Sequence, residues 1–200
     1  MTIFYQALFL ILTYLIAAIP FGLILAKLFA GKDVRELGSK NIGATNVARV
    51  AGKKLGFVTL VLDGAKGAIM VIIARFGFYD VSDLHVFLVL VSAVAVVGHI
   101  YPIYLDFKGG KGVATAIAVI SALDPITGFL SVCFWIMSYS LFHISSAASL
   151  ISIFFTIIFS SAYDAPFEQV ALCWFLFIVI TIRHKENIMR LLTGEEKKLK

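Results

Sequence analysis

Apolar residues run in long uninterrupted blocks separated by short polar stretches, the pattern expected when lipid is their solvent. A spanning helix needs about 20 such residues, fewer where protein covers its ends. The first block, 3–26, has no basic residue before it and no small-residue cleavage pattern at its end. It is expected to be a retained membrane helix rather than a cleaved signal. A polar stretch, 27–54, follows. The second block is 55–77, with Asp63 and Lys66 inside it, and the third is 84–104. After the polar, glycine-rich Asp106–Gly112 the apolar character resumes, but Asp124-Pro125 interrupts it, and proline ends or kinks a helix. Two spans are predicted there, a short one over 112–123 and a full one over 125–142. Spans over 145–162 and 168–182 complete the set, with turns at His143–Ser146 and Tyr163–Pro166 and a polar tail. The fold class expected is an all-α integral membrane protein of seven transmembrane helices, one polytopic domain over 1–200. The fourth span covers only about 18 Å as a helix, so it is expected to be tilted, re-entrant or buried by its neighbours.

Charge sets the orientation. Loop 27–54 carries seven basic residues, Asp106–Gly112 adds Lys108 and Lys111, and the tail from Arg183 adds six. Fifteen of the 17 Lys and Arg thus fall on one side of a seven-span chain. The opposite loops hold Asp80, Asp83, Asp124, Asp164 and Glu168 and no basic residue. Excess Lys and Arg marks the cytoplasmic side, which puts the N-terminus outside and the C-terminus in the cytoplasm. A six-span chain, with 112–142 as one helix, would break this segregation. Composition agrees: 60% hydrophobic and 14% charged argues against a soluble globule. The net charge of +5 sits in loops, without stacking aromatics, so membrane lipid is the partner it suggests and nucleic acid is not. Cys133 and Cys173 lie inside apolar blocks and read as small hydrophobes. No spacing suggests a metal site.

Three stretches of the cytoplasmic face are richer in chemistry than connectors need. Gly38–Arg49 packs Ser39, Asn41, Thr45, Asn46 and Arg49 between glycines at 38 and 43. Hydroxyls, amides and a guanidinium fork suit a phosphate. Gly98–Thr115 contains His99 and the turn Lys108-Gly109-Gly110-Lys111-Gly112 leading into a helix. Helix-start N–H groups bind anions, but the order fails the nucleotide P-loop pattern. Arg183–Glu195 follows the last span directly, with His184 and Asn187 three apart on one helix face. Asp63 and Lys66, at i and i+3 within a span, are expected to form a supporting ion pair, or Asp63 to hold a basic residue of the phosphate site. Arg75 is expected to snorkel.

At these stretches the sequence resembles the bacterial membrane acyltransferases that move an acyl chain from acyl-phosphate to glycerol 3-phosphate. Gly38–Arg49 is similar to that family's G-S-x-N-x-G-A-T-N-x-x-R motif. Gly98–Thr115 resembles its G-H-x-x-P followed by F-K-G-G-K-G-V-A-T. The tail is similar to H-x-x-N-I-x-R-L-x-x-G-x-E from His184, with a one-residue choice at the final acid, and Leu62–Gly67 looks like a second-helix pattern. Tyr101 and Lys40 occupy variable or conservatively exchanged positions. The resemblance implies an inner-membrane enzyme whose active site faces the cytoplasm. Its substrates would be acyl-phosphate and glycerol 3-phosphate, its products lysophosphatidic acid and phosphate, with no cofactor and no obligate protein partner. It places catalysis on Ser39, Arg49, Lys108, Lys111, His184 and Asn187.

Acyl-phosphate carries a good leaving group, so the chemistry demanded is the juxtaposition of two anions, which repel strongly unless cations compensate. Lys108, Lys111 and the N–H groups of Gly109–Gly112 are expected to hold the acyl-phosphate. Arg49, Ser39, His184 and Asn187 would hold glycerol 3-phosphate, with Gly38, Asn41, Gly43, Thr45, Asn46, His99 and Thr115 contributing to binding. His99, His184 and a substrate phosphate all remain candidates for the hydroxyl proton. A covalent route through Ser39 lacks triad-like spacing. An organic-phosphate transporter and a purely structural lipid-binding protein are the rival classes.

Overall fold

The computed structural model describes residues 3–196 and Lys198; Lys197 and Lys200 of the basic tail lie outside the described residues. The described residues form ten α-helices and one 3-10 turn: α1 (Ile3–Ala17), α2 (Phe21–Ala30), α3 (Ala44–Ala51), α4 (Lys53–Gly77), α5 (Leu84–Ile100), the turn Ile103–Leu105, α6 (Val113–Leu123), α7 (Pro125–Phe142), α8 (Ser145–Ala162), α9 (Phe167–Arg183) and α10 (Lys185–Leu192). Five segments are long and apolar enough to cross a bilayer: Ile3–Ala30, Lys53–Gly77, Leu84–Leu105, Pro125–Phe142 and Ser145–Ala162. A sixth is reached if α9 and α10, bent by 66°, count as one. The short apolar helix α6 stands beside them.

The first block is not one straight helix. Pro20 lacks an N–H, and the ladder breaks between Ala17 and Phe21. A carbonyl freed inside a membrane needs a partner. Lys66 supplies one, its Nζ donating to the Ile19 carbonyl at 2.8 Å while pairing with Asp63 Oδ1 at 3.0 Å. The expected Asp63–Lys66 ion pair is therefore present and also closes the α1–α2 break.

The division at Asp124-Pro125 is observed. Asp124 caps α7, its Oδ1 accepting from the N–H groups of Ile126 and Thr127 at 3.0 and 3.2 Å, with Pro125 in the first turn. Helix α6 has 11 residues, about 16 Å. Arg75, expected to snorkel, instead donates from Nη2 to the Leu123 carbonyl at 3.0 Å and caps the far end of α6. Removing that charged donor by Arg75→Met should lower unfolding stability by about 1–3 kcal/mol, read as an earlier midpoint in detergent, with the membrane level of the protein little changed.

Helix α4 lies at the centre, touching α1, α2, α3, α5 and α6, while α7, α8 and α9 complete the bundle through α6 and α5. Between apolar helices in lipid, close packing replaces the hydrophobic drive. A Cβ at Gly67 would fall 2.8 Å from Thr115 Cγ2 and 2.9 Å from Val119 Cγ1, so α4 and α6 meet at backbone distance. Thr115, fully buried, pins the pair by donating to the Asp63 carbonyl at 2.8 Å. Cys173 is buried near Ser160, and neither cysteine is bridged.

Candidate active site

The polar loop before α3 is held by one side chain. The Asn46 amide donates to the carbonyls of Val34, Leu37 and Asn41, and its Oδ1 accepts the Ser39 N–H at 2.7 Å. Gly38 has φ +63°, and a Cβ there would sit 2.2 Å from Asn46 Oδ1, so only glycine closes this turn. Asn41 Oδ1 accepts the Gly43 N–H at 2.9 Å. Ser39 and Arg49 are thereby presented on the exposed rim, and the start of α3 opens inward.

The second loop folds back on the end of α5. The N–H groups of Gly109 and Gly110 donate to the carbonyls of Ile100 and His99, both at 3.1 Å. A Cβ at Gly110 would lie 2.0 Å from His99 Nε2. The glycine pair thus exists to pack on His99, which in turn stands 3.6 Å from Asp63. Gly112, at φ +90°, turns the chain into α6.

The third segment brings α10 across the cavity. Lys111 Nζ donates to Asn187 Oδ1. Asn187 Nδ2 donates to Glu196 Oε1 at 2.6 Å, Ser146 Oγ to the same oxygen at 2.8 Å, and Arg190 Nε to Glu196 Oε2 at 2.6 Å. Burial alone would raise the Glu196 carboxyl, but these hydrogen bonds, Arg190's foremost, outweigh it and keep it ionised below the usual range. Burial is the main cause that draws the Lys111 ammonium down to about 8; the Glu196 carboxylate opposes it and Arg190 adds to it. His184, just beyond α9, is pushed down to about 4 by burial first and by Lys111 second. Its ring is neutral at physiological pH. Its Nδ1 lies 2.8 Å from the Ile180 carbonyl, which can only accept. The proton therefore sits on Nδ1, and Nε2 carries the free lone pair.

These pieces enclose one cavity of about 900 Å³. At its polar end stand Ser39, Arg49, Lys111, His184, Asn187 and Arg190, together with the starts of α3, α6 and α8, none of which carries a side-chain cap. Uncapped helix starts aimed at one space favour anions. The other end is an apolar groove between α4, α6 and α7, walled by Val61, Ala65, Ala68, Ile72, Ile117 and Val132 among others. From Leu60 to Ile72 it runs about 18 Å along α4. Among the described residues no group of three His, Cys, Asp or Glu forms a metal ligand set.

A family profile described as glycerol-3-phosphate acyltransferase matches residues 7–194. The chain belongs to the glycerol-3-phosphate acyltransferase family. The glycerol-3-phosphate acyltransferase of Syntrophotalea carbinolica is 43% identical over 207 residues, spanning all of both chains. That of Caulobacter vibrioides is 43% identical over 187 residues, 93% of this chain and 84% of its own. The crystal structure of PlsY (YgiH), an integral membrane glycerol 3-phosphate acyltransferase, in its glycerol 3-phosphate form superposes with TM-score 0.92 at 37% identity, covering 98% of this chain and 96% of the other. Its lysophosphatidic acid form gives 0.89 at 35%.

In this acyltransferase the cavity gathers most, not all, of the residues singled out from sequence. Gly38, Ser39, Asn41, Gly43, Thr45, Asn46, Arg49, Asp63, His99, Lys111, Gly112, His184 and Asn187 line it. Lys108 is exposed and stands outside the wall, as do Gly109, Gly110, Thr115 and Lys66. The expected phosphate contact through Gly109 and Gly110 is corrected: both N–H groups are already paired with backbone carbonyls. The side chains of Asn46 and Thr115 likewise hydrogen-bond to backbone carbonyls. Arg190, Ser145, Ser146 and Glu196 join the wall without having been singled out as site residues. The choice of final acid falls on Glu196, which binds three partners. No local signal marks the serines, which open α8 and come from a turn.

Proposed function

We propose that this acyltransferase moves a fatty acyl group from acyl-phosphate to the 1-hydroxyl of sn-glycerol 3-phosphate, giving lysophosphatidic acid and inorganic phosphate, the first acylation of phospholipid synthesis. The observation that carries the reading is the continuity of one cavity from a cation-rich head to an apolar groove. A soluble phosphate needs only the head; a donor that is both anion and lipid needs both ends. The seven-span count is reached by taking α1–α2 as one broken span and adding α6 and α9. The Lys and Arg bias then puts the C-terminus, the loop before α3 and the Lys111 turn on the cytoplasmic side of the inner membrane, with anionic lipid as neighbour and nucleic acid as no partner.

In this arrangement Lys111 and the N–H groups that open α6 hold the acyl-phosphate phosphate. Arg49, Ser39 and Asn187 receive glycerol 3-phosphate, and the acyl chain lies in the groove. His184 Nε2 accepts a hydrogen bond from the 1-hydroxyl. The bond from that oxygen to the acyl carbon forms, the acyl carbon–phosphate oxygen bond breaks, and the proton passes to a phosphate oxygen. A ring titrating near 4 orients the hydroxyl better than it stores a proton. The test is purified protein with acyl-phosphate and labelled glycerol 3-phosphate. Product should form with acyl-phosphate and not with acyl-CoA, without a membrane potential; a folded, lipid-supported protein that makes none would contradict the reading.

The Lys111 cation also predicts a pH profile. It is present below about 8 and lost above, so kcat/KM for acyl-phosphate should fall as pH rises through that value. A bound phosphate favours the charged ammonium, so the alkaline limb of kcat should lie at higher pH than that of kcat/KM. Coincident limbs, or a flat profile to pH 10, would remove Lys111 from the phosphate site.

A further inference from the structure

Arg183 closes α9, one residue before His184, and is not part of the cavity wall. Its guanidinium reaches the other way. Nη2 donates to the Gly109 carbonyl at 3.2 Å, and Cζ stands 5.6 Å from the centre of the Tyr101 ring. Tyr101 is itself tied down, since its carbonyl accepts the Tyr14 hydroxyl of α1 at 2.7 Å. No carboxylate pairs with Arg183 among the described residues, and its Nε is buried without a hydrogen-bond partner. A cation placed at this cost, with no ion pair to balance it, is placed for geometry. The Gly109 turn it grips ends, two residues later, on Lys111, which binds Asn187 of α10. The same joint of α9 and α10 thus delivers His184 and Asn187 to one side of the cavity and reaches back to the loop that supplies Lys111.

We infer that Arg183 is a positioning residue: clasping the Tyr101 ring and the Gly109 carbonyl, it sets the register of the Gly109–Gly112 turn against α10 and so places the Lys111 ammonium. Guanidinium suits the task because its plane lies on an aromatic face while its edge donates a hydrogen bond; an ammonium does one or the other. The inference rests on the proposed phosphate role of Lys111.

The test measures KM and kcat for acyl-phosphate, with glycerol 3-phosphate saturating, in wild type, Arg183→Gln, Arg183→Lys, Tyr101→Leu and Tyr101→Phe. Arg183→Gln should raise KM roughly tenfold, with kcat within about twofold, and Arg183→Lys should recover part of the loss. Tyr101→Leu should raise KM in the same direction, and Tyr101→Phe, which restores the ring face, should reverse it. The pH profile provides a readout that simple loosening would not move. Lys111 is faced by Asn187, Arg190 and Glu186 of α10, Glu196 of the tail, and Arg183 and His184 at the end of α9, and the Arg183 charge helps hold it down. The alkaline limb of kcat/KM should therefore move to higher pH in Arg183→Gln. A loss confined to kcat, with KM and the alkaline limb unchanged, would overturn the inference. If Arg183→Gln does not fold, the tyrosine pair decides: equal KM in Tyr101→Leu and Tyr101→Phe overturns it as well. Inactive wild type would instead sink the acyl-transfer reading.

Discussion

Lys111→Met is expected to lower kcat/KM for acyl-phosphate by on the order of 10³ while leaving the protein folded. The stem of Lys111 is already half-buried and methionine preserves its packing. What disappears is the ammonium that meets Asn187 Oδ1 and faces the polar end of the cavity. Two phosphates must sit within one enclosed space, and a single preorganised donor in such a site commonly accounts for 10²–10³ in rate. Charge matters here more than the hydrogen bond, because Arg190 is tied to Glu196 at 2.6 Å and is not free to replace it. Lys111→Arg should retain more activity than Lys111→Met, though not all, since the fork is wider than a point charge. Steady-state kinetics on purified variants of unchanged thermal midpoint decide the matter. Activity of Lys111→Met within tenfold of wild type would mean that the phosphates are held elsewhere.

Ala68→Phe is expected to reduce turnover of long-chain acyl-phosphates roughly 10–100-fold and to spare short-chain ones. Ala65, Ala68 and Ile72 line the groove from α4, and Ile117, Ala118 and Ala122 line it from α6. The passage is open where the wall is alanine, at 65, 68, 118 and 122. A phenyl ring at 68 would occupy the space beyond the reacting carbonyl, about two-thirds of the way along the 18 Å that the groove follows α4 from Leu60. Discrimination by chain fit in an apolar site amounts to about 1–3 kcal/mol, which gives the range stated. The readout is the ratio of rates with long and short donors at fixed glycerol 3-phosphate. An unchanged ratio would show that the chain lies in the bilayer and not along α4.

Much of the bundle could be read because its signals are local. Apolar blocks and one Asp-Pro break need no knowledge of what packs on what. Pro20 was an equally local signal, yet the block reads as continuous through it, since the consequence depends on Lys66, 47 residues away, reaching the freed Ile19 carbonyl. Arg75 misleads for the same reason: a charge near a helix end looks like a snorkelling side chain until its partner, the Leu123 carbonyl, is known. In the site, residue types that suit phosphate were recognised, but not which of their polar atoms remain available. Asn46 and Thr115 look like ligand groups in sequence and are committed to backbone carbonyls in the fold. Glu196 has the opposite history. Its partners Ser146, Asn187 and Arg190 come from two segments, and only the bend after α9 brings them together.

The central claim is that three distant polar segments meet on the cytoplasmic face and build one anion site there. The most direct measurement is side-specific labelling with a membrane-impermeant thiol reagent, in a chain whose Cys133 and Cys173 are replaced by alanine. Single cysteines at Ser39, Lys108 and Gly194, all exposed, sample the three segments, and one at Asp80 samples the opposite loops. The account predicts that the first three react only from the cytoplasmic side, Asp80→Cys only from the outside, and that glycerol 3-phosphate protects Ser39→Cys. Labelling of any one of the first three from the outer side would contradict it.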